Sequence, residues 1–86
     1  MPQFLIERNF AQQVEPLTKE QNAGLKQIND EERVKWLFSF LSADRKKTYC
    51  LYEAESAEAI RAAARRANIP ADVIIEVSDF RPEMFV

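Results

Sequence analysis

Residues 34–54 read VKWLFSFLSADRKKTYCLYEA and hold the pattern that decides the fold. Two apolar runs, residues 34–41 and 48–54, flank a polar segment at 42–47, which predicts two strands joined by a turn. Because side chains alternate along a strand, the first run should place large apolar side chains on both of its faces. One face would carry Val34, Trp36, Phe38 and Phe40, and the other Leu37 and Leu41. Both faces of this hairpin are therefore expected to be buried.

Two elements are predicted before the hairpin. Residues 2–10, PQFLIERNF, favour a strand that begins close to Met1. Thr18 and Gln21 have the T-x-x-Q spacing of a capping box, which predicts a helix over residues 19–29. The apolar stripe of this helix is thin, and Gly24 at its centre costs about 1 kcal/mol relative to alanine.

A second helix and a last strand are predicted after the hairpin. Ser56 can cap an alanine-rich helix, and Asn68 can end it in the left-handed conformation. Residues 72–77, DVIIEV, are rich in β-branched side chains and predict the strand. The tail SDFRPEMFV, residues 78–86, is apolar enough that we expect it to pack against another surface.

The predicted order of strand, helix, strand, strand, helix, strand is that of an α+β, ferredoxin-like βαββαβ fold. Both helices would cover one face of a four-stranded antiparallel sheet. Aromatic side chains would then remain on the other face, and an exposed patch of this kind usually marks an interface. We therefore predict a homodimer in which two sheets meet face to face.

Composition restricts the class of protein. The 86 residues predict a single domain, 1–86, with a thin core. Cys50 is the one cysteine and there is no histidine, so neither an internal disulfide nor a typical zinc site is expected. A net charge of −2 argues against a nucleic-acid partner. There is no apolar run long enough for a membrane span and no leader, so a cytoplasmic protein without a membrane partner is expected.

Four segments together resemble a known family. They are FLIER at 4–8, the W-x-x-S of Trp36 and Ser39, YCLYEA at 49–54 and IRAAARRANIPAD at 60–72. In this combination the chain resembles a small bacterial domain family of unknown function that includes a nickel-binding, nickel-responsive protein and belongs to the dimeric α+β barrel superfamily. The resemblance implies a dimer whose two sheets enclose a barrel.

The chain departs from this family at two positions that bear on metal binding. The relatives carry histidines in W-x-H-S and I-R-E-H-A segments, where this chain has Phe38 and Ala63. Because imidazole suits nickel better than carboxylate or amide oxygens, no metal and no cofactor are predicted. A hard-cation site built from Glu7, Glu53 and Glu76 is the alternative, and these residues have no characteristic spacing.

Candidate ligand-binding residues lie in the predicted strands. They are Glu7, Arg8, Trp36, Phe38, Tyr49 and Tyr52. Glu7 and Arg8 are adjacent and face opposite sides of the sheet, so one of them is expected to point inward, either as a polar anchor for a ligand or in a buried or interfacial ion pair. For Arg8, the expected partner in such a pair is Glu53. The two tyrosines also lie on opposite faces. Packing in the core or in the dimer interface is the alternative role for the aromatic residues, and Cys50 is expected to be a small core residue.

No catalytic signature is present, because histidine is absent and the carboxylates are dispersed. The leading hypothesis is a homodimeric protein that binds a small ligand or acts as an interaction module. The alternative is a cofactor-independent enzyme of the monooxygenase or isomerase kind, in which Glu7 or Arg8 and Tyr49 or Tyr52 would polarise a substrate. That alternative depends on fold analogy alone.

Overall fold

Four strands form one antiparallel sheet in the computed structural model, which describes residues 1–85. The elements along the chain are β1 (Gln3–Asn9), α1 (Lys19–Glu31), β2 (Lys35–Leu41), β3 (Lys47–Glu53), α2 (Ala57–Ala67), β4 (Val73–Val77) and a short 3-10 helix, Pro82–Phe85. The strand order is β2-β3-β1-β4, and each neighbouring pair is antiparallel. The predicted ferredoxin-like α+β fold is confirmed.

The two faces of the sheet have different surroundings. On β1, Phe4, Ile6 and Arg8 are buried, and Phe4 and Ile6 pack in one core cluster with Ile60 of α2. The intervening side chains of β1 point to the opposite face, which neither helix covers. This uncovered face carries Leu5, Glu7, Phe38, Phe40, Tyr49, Leu51 and Ile75. The core therefore lies on one side of the sheet only.

A β-bulge in β2 corrects the predicted arrangement of its side chains. Trp36 pairs with Tyr52, but Phe38 pairs with Leu51 and Phe40 with Tyr49, with a register shift between Trp36 and Phe38. The extra residue of a bulge interrupts the alternation of a strand. The prediction that Trp36 shares a face with Phe38 and Phe40 is therefore wrong: Trp36 lies on the helix side and the two phenylalanines on the uncovered face.

Helix α2 packs closely on the sheet, as its alanine-rich sequence predicts. Its buried residues are Ile60, Ala63 and Ala64. The Ser56 hydroxyl accepts the N–H of Ala59 at 3.3 Å, and Asn68 ends the helix with φ of 56°. Small side chains on the buried face allow the helix backbone to approach the strands, and both predicted caps are confirmed.

Helix α1 packs less closely. The capping box of Thr18 and Gln21 is confirmed by two reciprocal bonds, of 3.0 and 3.1 Å, and the helix runs two residues beyond its predicted end. Its one buried residue is polar, Asn29. Interhelical ion pairs from Arg66 to Glu31 and Glu32 hold α1 to α2. In residues 1–85, neither helix is long and apolar enough to cross a membrane.

Replacement of Gly24 by alanine is expected to stabilise the protein. Gly24 lies inside α1 without a positive φ, and a Cβ added there would meet no atom within 4 Å. Alanine should therefore raise the free energy of unfolding by about 0.5–1 kcal/mol, measured by urea denaturation. Thr18→Ala, which removes the cap, should lower it by about 1 kcal/mol in the same assay. A loss of stability in Gly24→Ala would contradict the open surroundings of this position.

The tail does not pack against the rest of the chain through its aromatic residues. Phe80 is 84% exposed, and Met84 and Phe85 are also exposed. The rings of Phe80 and Phe85 contact each other edge to face with centroids 5.1 Å apart. Val86, the last residue of the predicted packing segment, lies outside the described residues. The surface against which the tail was predicted to pack is not found within residues 1–85.

Candidate ligand-binding cavity

A cavity of about 560 Å³ lies between the sheet, α1 and the segment that precedes α1. Asn22 and Leu25 line it from α1. The sheet contributes Arg8, Trp36, Ser39, Thr48, Cys50 and Tyr52. The volume is typical of sites for small organic molecules. The cavity exists because α1, with its thin apolar stripe, leaves space above this part of the sheet.

The outer wall of the cavity is fixed by the β2–β3 turn. The segment 10–17 crosses this turn, where the N–H of Phe10 donates to the Lys46 carbonyl at 2.8 Å and the N–H of Val14 to the Arg45 carbonyl at 2.6 Å. The Arg45 guanidinium donates back to the Val14 carbonyl at 3.1 and 2.7 Å. Arg45 therefore holds a wall that contributes Phe10, Val14 and Leu17 to the cavity.

Arg8 is the buried charge of the cavity wall. The residue is only 4% exposed. It donates to the Pro70 carbonyl at 2.5 Å and to the Tyr52 hydroxyl at 3.4 Å. Both acceptors are neutral, and within residues 1–85 no carboxylate lies within ion-pair distance of the guanidinium. The sequence left open whether Glu7 or Arg8 points inward, and the structure places Arg8 there.

The predicted ion pair between Arg8 and Glu53 is wrong. In the antiparallel register, Arg8 pairs with Thr48, whereas Glu53 pairs with Gln3 near the other end of β1. Glu53 also points to the uncovered face, because it is an odd number of residues from Thr48. On that face Glu7 has its own cation, Lys47, at 3.7 Å.

Tyr52 supplies a neutral hydroxyl beside Arg8. Burial raises the pKa of Tyr52 above its ordinary value of 10.0, because a phenolate would lose solvation there; the nearby Arg8 charge acts in the opposite direction. Asn29, buried on α1, also lies near this hydroxyl and, like Arg8, acts to lower the pKa. The Arg8 guanidinium carbon lies 5.6 Å from the centre of the Tyr52 ring. The hydroxyl is therefore protonated at neutral pH and accepts a hydrogen bond from Arg8.

Trp36 forms an aromatic part of the cavity wall on β2. Its indole N–H donates to the Ser39 hydroxyl at 2.8 Å, which fixes the orientation of the ring. The residue is 40% exposed, so part of the ring remains accessible. It is also the one tryptophan of the chain. Its fluorescence will consequently report directly on occupation of the cavity.

The candidate residues divide into two sets on opposite sides of the sheet. Those that line the cavity are Arg8, Trp36 and Tyr52. Those on the uncovered face are Glu7, Phe38 and Tyr49. The bulge in β2 separates Trp36 from Phe38, and strand alternation separates the two tyrosines. The six candidate residues therefore lie in two distinct environments and do not form a single site.

Sequence reasoning missed Asn29, a buried polar residue of α1 near the Tyr52 hydroxyl. Leu25, Ile28 and Asn29 occur at i, i+3 and i+4, so Asn29 continues the apolar stripe of α1. A polar residue in such a stripe is a signal that the inner surface has a polar partner. Here the Tyr52 hydroxyl is the polar group near Asn29.

The chemistry available in the cavity favours binding. Among residues 1–85, Glu15 is the one carboxylate that lines the cavity, and it is exposed and lies 3.7 Å from Arg45. The Cys50 thiol, also in the wall, lies 3.5 Å from the Thr48 hydroxyl. Neither pair provides a base beside a nucleophile or an acid beside a base, which catalysis of proton or acyl transfer requires.

Comparison with known proteins agrees with the fold and the sequence segments. Residues 4–77 match the family described as nickel-responsive protein SCO4226-like. The chain belongs to this family. The crystal structure of SCO4226 from Streptomyces coelicolor A3(2) is similar, with a TM-score of 0.69 and 25% identity over 92% of this chain and 99% of that one. No protein of curated function matches the chain.

The donor set that nickel would need does not fit this family member. The family resemblance implies histidines at the positions of Phe38 and Ala63. These two positions lie on opposite sides of the sheet, with Phe38 on the uncovered face and Ala63 on the buried face of α2, in the core. Within residues 1–85 no three of the His, Cys, Asp and Glu side chains cluster as metal ligands would. The proposed alternative of Glu7, Glu53 and Glu76 is likewise not brought together as a site.

Proposed function

We propose that this protein is a homodimer that binds a small organic molecule in the cavity between α1 and the sheet. The observation that carries the proposal is the combination of a largely apolar cavity of about 560 Å³ with the buried Arg8 side chain in its wall. Sites for small molecules typically combine apolar walls with a few fixed polar groups. Arg8, Tyr52 and Ser39 are such groups here.

The uncovered face of the sheet supports the dimer. Phe38 is 50% exposed, and its ring contacts Phe40 edge to face with centroids 5.5 Å apart. Ile75 on β4 is also exposed, so the apolar surface extends across the sheet from β2 to β4. A monomer rarely exposes a contiguous apolar surface of this kind. A second copy placed sheet to sheet would cover it and leave the ligand cavity on the outer, helix side.

Nickel is not the proposed ligand, although the family is described as nickel-responsive. The chain has no histidine, and its single thiol, Cys50, is buried in the core cluster. Carboxylates and carbonyls alone suit hard cations better than nickel. The member described here would therefore share the fold of its family but bind a different class of ligand.

A compound screen in which binding is detected by NMR tests the proposal. Backbone amide resonances of the ¹⁵N-labelled protein would be recorded with small acids, bases and neutral compounds, and separately with Ni²⁺. We expect organic compounds to shift resonances of cavity residues such as Leu25, Ser39 and Cys50. Nickel at micromolar concentration should cause no site-specific shift or broadening.

Two neighbouring substitutions provide the control. Thr48→Phe fills the cavity and should weaken binding at least about tenfold, which corresponds to 1.4 kcal/mol. Tyr49→Phe lies on the uncovered face and should leave affinity unchanged. The proposed function would be wrong if no compound shifted the resonances of cavity residues, or if nickel bound at a defined site with micromolar affinity.

A further inference from the structure

We infer that the ligand of this cavity is a small organic anion, with a carboxylate or similar group bound by Arg8 and an apolar body that contacts Trp36 and Leu25. This inference rests on the proposed function, because it names the chemical class of the molecule that the cavity takes.

Burial of an arginine without a carboxylate is unfavourable. A charged group taken out of water loses solvation that only a nearby opposite charge restores well. Arg8 has two neutral acceptors, Pro70 and Tyr52, and in the described chain no carboxylate within 4 Å. These bonds use two of the five N–H groups that a guanidinium carries. An anion in the cavity would supply the missing charge and accept from the others.

The guanidinium retains access to the cavity. Among residues 1–85, every fully buried side-chain nitrogen or oxygen atom has a hydrogen-bond partner. The Nε atom of Arg8 has no such partner among these residues, so it retains some accessible surface. Arg8 lines the cavity, so that surface is available to a ligand. A planar guanidinium matches the two oxygens of a carboxylate better than a single acceptor.

The other charges around the cavity also favour an anion. Lys19 lines the rim at the first turn of α1, where the helix dipole is positive. The one acidic lining residue, Glu15, is exposed and close to Arg45 at 3.7 Å, so its charge is compensated outside the cavity. Positive charge thus exceeds negative charge along the wall.

The remaining wall requires an apolar body. Phe10, Val14, Leu17, Leu25, Trp36 and Ile69 all line the cavity. Inorganic phosphate or chloride would leave these side chains against water, whereas an aryl or alkyl acid would contact them. The neutral hydroxyl of Tyr52 beside Arg8 can donate a further hydrogen bond to the acid group. An organic acid of moderate length satisfies both parts of the site.

The test compares 4-phenylbutyrate with its uncharged isostere 4-phenylbutanamide, and uses inorganic phosphate as an anion without an apolar body. Binding to the full chain is followed by the fluorescence of Trp36. We expect the acid to bind at least about tenfold more tightly than the amide, because hydrogen bonds to charged groups are the stronger ones. In Arg8→Met the two compounds should bind with similar, weak affinity. Phosphate should bind more weakly than the acid to the unsubstituted protein.

The comparison of acid and amide on the unsubstituted protein needs no variant, so the test holds even if Arg8→Met is insoluble. Arg8→Lys keeps the charge and should retain part of the preference for the acid. Equal affinities for acid and amide, or a preference that survives Arg8→Met, would overturn the inference and leave the binding cavity standing. If neither the acid nor the amide bound at millimolar concentration, the inference of an organic-anion ligand would also be overturned. The compound screen decides separately whether the cavity binds anything at all.

Discussion

Replacement of Phe38 by aspartate is expected to convert a dimer of this protein into monomers. Phe38 lies on the uncovered face, paired with Leu51 and in ring contact with Phe40. In a sheet-to-sheet dimer the new carboxylate would be buried among apolar side chains, which costs several kcal/mol without a partner. Symmetry introduces the charge twice in each dimer. Since 1.4 kcal/mol changes affinity tenfold, dimerisation should weaken by at least about a hundredfold.

Sedimentation velocity over a range of micromolar concentrations measures this change. The matched control is Leu17→Asp, which places the same charge at an exposed apolar residue on the helix side of the molecule. It should sediment like the unsubstituted protein. An unsubstituted chain that is monomeric throughout this range, or a Phe38→Asp variant that remains dimeric, would show that the uncovered face is not the interface.

The choice of Phe38 for this experiment shows where sequence patterns are insufficient. Residues 34–41 correctly predicted a strand that is apolar on both faces, and the order of elements correctly predicted the fold. Strict alternation, however, placed Trp36 with Phe38, and a charge at Trp36 would have been directed at the wrong side of the sheet. The bulge between them depends on how β2 pairs with β3, which is a long-range property without a local signal here.

The candidate site could be predicted only in part, because it too depends on long-range strand pairing. Alternation established that Glu7 and Arg8 face opposite sides, but only the registers of β1 with β3 and β4 determine which one points inward. The thin stripe of α1 was visible in the sequence. The cavity that it leaves also needs the segment 10–17, whose position depends on hydrogen bonds between Arg45 and Val14, 31 residues apart. Such contacts have no local sequence pattern.

Replacement of Ile6 by alanine is expected to have the largest effect on stability. Ile6 is fully buried on the central strand β1, where it pairs with Cys50 on one side and Ile74 on the other. Removal of such a side chain from a core typically costs about 2–5 kcal/mol. Domains are stable by only about 0.05–0.15 kcal/mol per residue, so this loss would remove much of the stability of an 86-residue chain.

Replacement of Ile75 by alanine distinguishes the effect of a residue in the proposed interface from that of a residue in the core. Ile75 is 53% exposed in the single chain, so Ile75→Ala should cost little when the protein is dilute. At high concentration, where a partner would cover this residue, the cost should increase, because dimerisation stabilises the folded chain by mass action. Urea denaturation at two protein concentrations measures both variants, and the cost of Ile6→Ala should be large at each. If the cost of Ile75→Ala did not depend on concentration, the apolar surface of β4 would not belong to a dimer interface.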